Sequence, residues 1–204
     1  MVVNFIFSII ILIFSVILHE VAHGYAAELQ GDPTARLQGR LTLNPIKHID
    51  PIGSIVVPAV SYFLGGFIIG WAKPVPYNPY NLKNQRWGEA IVAAAGPLTN
   101  IVIALIFGLF LRFGPVSSLS DTTVTLIGTI VRINLILAVF NLMPIAPLDG
   151  SKLLFSIAPN TMARFRTFME RYSIVFVLIF VFILWQFIVP VVYWLFTLIT
   201  GLSM

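Results

Sequence analysis

Three titratable side chains stand at the end of an apolar run: His19, Glu20 and His23, in ILHEVAHGYA, residues 17–26. On a helix, His19 and His23 are four residues apart. Both imidazoles then lie on one face, one turn apart, and can grip a single metal ion. Glu20 can hang over the open side of that ion as general base towards its water. The chemistry that follows is metal-assisted hydrolysis. HExxH fixes only three of its five positions, so the rest of the chain must supply context. The plainer reading is a polar helix end facing lipid headgroups, but three titratable groups at the exit of a span favour a functional site.

A catalytic zinc takes three protein ligands and a water. The chain has no cysteine, and its third histidine is His48. The other acids are Glu28, Asp32, Asp50, Glu89, Asp121, Asp149 and Glu170. Asp149 stands out. It closes NLMPIAPLDG, residues 141–150, where Pro144 and Pro147 forbid a regular helix and Gly150 permits a sharp turn. Broken backbone at membrane depth is tolerated where it is packed in protein or lines a cavity. The alternative for Asp149 is a turn residue or the cap of a helix starting near Ser151. His48 is either a fourth ligand, a substrate contact, or the organiser of its own proline-rich loop.

The elements that must position these residues are apolar. Of 204 residues, 58% are hydrophobic and 10% charged, with a mean hydropathy of +0.96. A soluble domain is about 25% charged, so the chain reads as an integral membrane protein. The formal charge of +4 gives no sign of a nucleic-acid partner. Runs of about 20 apolar residues can cross a bilayer. They fall at 2–18, with its helix continuing to about Ala27, and at 52–71, 88–111, 122–142 and 173–199, the last interrupted by Pro190. The first lacks a basic leader and a small-residue cleavage site, so it is read as a retained span.

Segment 52–71 holds Pro58 and Gly65-Gly66, poor helix formers. If it dips in and returns, loops 29–50, 73–87 and 143–172 share one side. They then carry ten of the twelve Lys and Arg residues, leaving Arg112 on the other side and Arg132 within a span. The positive-inside rule makes that side cytoplasmic. The expected fold is an all-α polytopic membrane protein of four to five transmembrane helices plus a re-entrant or short-strand element. It forms a single domain over 1–204, with a core to about 157 and a C-terminal helix at about 172–200. The strand candidate is 33–46, PTARLQGRLTLNPI, where Leu37, Leu41 and Leu43 alternate with polar residues. An irregular surface loop is the alternative.

HEVAH on one span, AAAGPLTN on a later one and NLMPIAPLDG on a third resemble the site-2 protease family of intramembrane zinc metalloproteases. GRLTLNPIKHIDPIGS and the following WAKPVPYNP resemble its compact prokaryotic branch, without PDZ or CBS domains. The likeness covers about residues 15–155. Ala146 departs from it, where Pro is expected.

The resemblance implies one Zn2+ per chain on His19, His23 and Asp149, with Glu20 as base. It also points to Asn141 and Asn100 as polar groups near the substrate or oxyanion. Asn100 has a second reading, as a helix–helix hydrogen-bonding group beside Ala93–Gly96. The implied activity is cleavage of transmembrane protein substrates, in regulated intramembrane proteolysis. The implied setting is the cell membrane, with the site near the cytoplasmic face and a separate regulatory membrane protein as partner. A non-proteolytic metal-binding transporter or receptor is the rival class, though the chain shows no matching halves. Three histidines are too few for a di-iron oxygenase.

Overall fold

The computed structural model describes residues 2–57, 60, 63, 70–157 and 161–202. Among these the regular structure is helical. The chain runs α1 (Val2–Leu29), α2 (Thr34–Leu37), α3 (Gly88–Phe113), α4 (Asp121–Asn141), α5 (Asp149–Ile157), α6 (Ala163–Arg171), α7 (Ser173–Ile179) and α8 (Trp185–Thr200). Three described helices are long and apolar enough to cross a membrane: Phe5–Leu29, Gly88–Phe113 and Asp121–Asn141. A fourth candidate is Ser173–Ile183 with Trp185–Thr200, bent by 64°. That bend falls in the π-wound turn Phe180–Leu184 and not at Pro190, which sits inside α8. A π-turn widens the ladder and kinks a helix without proline.

Helices α1, α3 and α4 pack together. Lipid gives little hydrophobic drive for helix association, so close approach and polar contacts carry it. Val92 and Ala93 on α3 are fully buried, as is Val131 on α4. On the far side, Ala104, Val131 and Leu135 meet Phe180, Ile188, Val192 and Phe196 of the C-terminal helices.

The loops expected on one side do meet. Lys83 N–H donates to Gln30 O at 2.8 Å, Arg166 pairs with Glu89 at 3.1 Å, and Arg40 donates to Lys73 O at 2.6 Å. At the opposite end Arg112 donates to Leu198 O. Most of segment 52–71 lies outside the described residues, but its ends do not. Trp71 N–H donates to Gly53 O at 3.0 Å, and Ser54 Oγ donates to Trp71 O at 2.9 Å. A straight helix from 53 to 71 would separate these residues by roughly 27 Å. The two described ends of the segment therefore lie together, the arrangement that the charge distribution favours.

Region 33–46 is not a strand. Thr34–Leu37 close a helical turn, Gly39 takes φ 60°, and Pro45–His48 form a 3-10 turn capped by Asn44. Leu37 and Leu43 are exposed, so the alternation has no buried face to specify a ladder.

Asp32 ties the end of α1 to the loop before α3. It is fully buried. It accepts from Thr34 Oγ1 at 2.5 Å, Asn81 Nδ2 at 2.9 Å and Asn78 N–H at 2.6 Å. Burial would raise the carboxyl, but the hydrogen bonds from Thr34, Asn81 and Asn78 outweigh it and hold Asp32 below its ordinary value. Its contribution to stability is therefore full above the unfolded carboxyl range, near about 3.9. It is lost as pH falls through the lower folded value. Hydrogen exchange across 76–83 checks this. Protection should fall in acid for the wild type and stay low and pH-independent in Asp32→Asn. A flat wild-type profile would remove Asp32 as the tie.

Candidate metal centre

His19 and His23 project from one face of α1, 5% and 8% exposed, and stand about 9–15 Å short of its C-terminal end. Their rings meet edge to face, with centroids 4.7 Å apart. Asp149 is the first residue of α5 and is 7% exposed. Its Oδ2 lies 3.1 Å from His19 Nε2 and 3.2 Å from His23 Nε2. Its Oδ1 faces Lys152 Nζ at 3.8 Å. Among the described residues this is the one group of three or more His, Asp or Glu side chains able to hold a metal ion.

The donor set fits zinc. Two donors each about 2.0–2.1 Å from a tetrahedral zinc lie roughly 3.3 Å apart, close to the separations from Asp149 to the two histidines. Each imidazole also gives its other nitrogen to the protein. His23 Nδ1 meets Val92 O at 2.7 Å, and His19 Nδ1 meets Asn100 Oδ1 at 2.6 Å. Both acceptors require an N–H on Nδ1, which leaves the Nε2 lone pairs facing the gap between the three side chains.

The backbone explains the placement. Pro97, buried within α3, has no N–H for the carbonyl four residues earlier. The carbonyl so deprived of its helix donor is that of Ala93, next to the Val92 carbonyl that receives His23. Gly96 lets α3 lie against the imidazoles: a Cβ there would stand 2.5 Å from His23 Nε2 and 2.6 Å from His19 Nε2. Gly150 works by close approach as well. Its φ is not positive, contrary to the sharp-turn expectation, but a Cβ would overlap the Leu142 carbonyl. This contact folds the Leu142–Leu148 turn back so that α5 opens with Asp149 at the histidines.

Glu20 is half-buried beside His19, and its Oε2 accepts from Val75 N–H at 2.8 Å. Pro74 and Pro76 carry no N–H, so Val75 is the one backbone donor of that triplet. The strap is anchored behind by buried Arg40, which donates to Lys73 O and Pro74 O at 2.6 and 3.1 Å. Lys73 N–H donates to His48 O at 2.9 Å. His48 is buried outside the metal cluster and meets Thr42 O at 2.8 Å, so it organises its own loop.

Asn100 is fully buried against His19, and Asn141 is half-buried with Nδ2 on Leu137 O of its own helix at 2.9 Å. Arg132 is exposed on α4. The sequence placed Gly96 only in a small-residue packing face, and gave no role to Asn134 or Ser15. Their signals were a glycine before a mid-span proline and polar residues inside apolar runs.

The model of peptidase family M50 matches residues 7–120 and 114–185. The chain belongs to peptidase family M50. A Bacillus subtilis (strain 168) protein named "Putative zinc metalloprotease YwhC" is 39% identical over 183 residues, 86% of this chain and 80% of its own length. "Putative zinc metalloprotease Rip2" of Mycobacterium tuberculosis (strain ATCC 25618 / H37Rv) is 29% identical, over 93% of this chain and 72% of its own. Its Mycolicibacterium smegmatis namesake is 35% identical, over 67% and 51%. No solved structure matches. The M50 chain is thus a multi-pass zinc metalloprotease of the site-2 type, with His19, His23 and Asp149 grouped closely enough to hold a metal ion.

Proposed function

We propose that this protease cleaves peptide bonds within or beside transmembrane segments, using one zinc per chain on His19, His23 and Asp149. The observation that carries the reading is depth. The three ligand side chains converge on the flank of an apolar span, short of its end, where a membrane-embedded peptide can come. Zinc held there would supply Lewis acidity and a water of lowered pKa. Glu20 takes a proton from the attacking water as its oxygen bonds to the scissile carbon. The same carboxyl returns the proton to the amide nitrogen as the C–N bond breaks. A helical substrate must unwind first, since its carbonyls are held in internal hydrogen bonds.

The loops around 29–50, 73–87 and 143–172 carry most of the Lys and Arg, which supports a cell-membrane enzyme whose site opens towards the cytoplasm. Cleavage of such substrates serves regulated proteolysis, with a separate membrane protein as regulator.

The test is metal content of the purified chain by elemental mass spectrometry. Wild type should hold close to one zinc, and Asp149→Ala should lose most of it, since two imidazoles alone make a poor site. Zinc equally retained in Asp149→Ala would overturn the ligand set. Zinc absent from folded wild type would overturn the reading as a whole.

A further inference from the structure

Behind His19 lies a chain of buried polar side chains that the hydrolytic chemistry does not use. Asn100 and Asn134 are both fully buried, and Ser15 is 4% exposed. Asn134 Nδ2 donates to Ile130 O at 2.9 Å and to Ser15 Oγ at 3.0 Å. Asn100 Nδ2 donates to Asn134 Oδ1 at 2.9 Å, with a longer contact to Ser15 O at 3.4 Å. Asn100 Oδ1 then accepts from His19 Nδ1 at 2.6 Å. We propose that Asn134 is a positioning residue for the metal centre, acting through Asn100 to hold His19 with Nδ1 protonated and Nε2 free for the metal. The proposal rests on the zinc reading above.

Direction is what makes this a device. An asparagine amide can be turned either way, and the wrong way would present N–H to His19 Nδ1. His19 would then carry its proton on Nε2, where a metal ligand needs a lone pair. The Ile130 carbonyl can only accept, so it fixes which end of the Asn134 amide faces it. That leaves Asn134 Oδ1 towards Asn100, which in turn leaves Asn100 Oδ1 towards His19. The polarity of one backbone carbonyl on α4 is thus passed over two side chains to a ligand on α1. His23 needs no such relay, because the Val92 carbonyl takes its Nδ1 directly. In an apolar surround each of these groups is costly to leave unpaired, so the pattern holds as a unit.

Zinc affinity of the full chain in detergent, measured by competition with a chromogenic chelator, tests the relay. Asn134→Leu should weaken zinc binding about 10–100-fold, the usual cost of losing such an outer partner. Asn134→Ser should do the same. Its hydroxyl can satisfy Ile130 O within the helix but cannot reach Asn100, so it carries the test if the leucine variant does not fold. Thr129→Val, which removes a buried hydroxyl from the same helix, should bind as wild type. The double variant Asn100→Leu/Asn134→Leu should bind no more weakly than Asn100→Leu alone, because Asn134 acts only through Asn100. With Co2+ in place of zinc, the visible bands should shift in Asn134→Ser and not in Thr129→Val. Wild-type affinity in both Asn134 variants, or losses that simply add in the double variant, would overturn the relay while leaving the metalloprotease reading intact. A wild type that binds no zinc would overturn both.

Discussion

Glu20→Gln should abolish cleavage of a transmembrane substrate, lowering the rate about 100- to 10,000-fold, the range for loss of a general base. Zinc content should not change, because Glu20 lies outside the ligand group. The substitution is clean for a structural reason. Glu20 accepts from Val75 N–H at 2.8 Å, and a glutamine carbonyl accepts in the same way. The strap over 73–76 therefore keeps its hold on α1, and only the capacity to take a proton is lost. Cleavage of a purified substrate in detergent, scored beside elemental zinc, separates the rival classes. A transporter or receptor built on the same metal site would lose little in Glu20→Gln. Full proteolysis by the variant would assign the base to another group.

The grouping of His19, His23 and Asp149 was legible because metal chemistry constrains sequence: two imidazoles a turn apart, and a carboxylate behind two prolines at a span's end. Charge favoured a returning segment 52–71 over a spanning one, since lysine and arginine report sidedness without any contact, and the meeting of its described ends agrees. Of the two readings of 33–46, the strand fails for a physical reason. Alternating leucines specify a strand only where one face is buried, and here Leu37 and Leu43 point away from the packed helices. The C-terminal bend was misplaced because proline was the one kink signal in view, whereas a π-turn leaves no residue signature. Asn134 showed in the sequence only as a polar residue inside an apolar run, with nothing to tie it to His19. It lies 119 positions along the chain from Ser15, and only the packing of α4 against α1 and α3 brings it beside Ser15 and Asn100. Asn100 shows the mixed case. The sequence left it between a helix-packing role and a catalytic one, and its bond to His19 joins the two.

Gly96 unites packing and chemistry in the same way, and it gives the second large effect. AAAG at 93–96 reads as a small-residue face that lets helices approach, and Ala93 is indeed fully buried. The approach at Gly96, however, is onto the two zinc-facing nitrogens themselves. Gly96→Ala sets two terms against each other. Alanine favours the helix over glycine by about 1 kcal/mol. Its methyl, however, would fall 2.5 Å from His23 Nε2 and 2.6 Å from His19 Nε2, inside any contact that can be relieved without moving a ring or the helix. Overpacking of this kind costs about 1–3 kcal/mol. The strain lands on the ligand nitrogens, so it should be read in metal binding before global stability. Gly96→Ala should keep its helix content and unfold at a similar temperature, yet bind zinc about 10- to 100-fold more weakly and cleave correspondingly less at limiting zinc. Chelator competition beside circular dichroism checks both halves. Unaltered zinc affinity would mean that α3 can back away from α1 at no cost, and that the glycine serves packing alone.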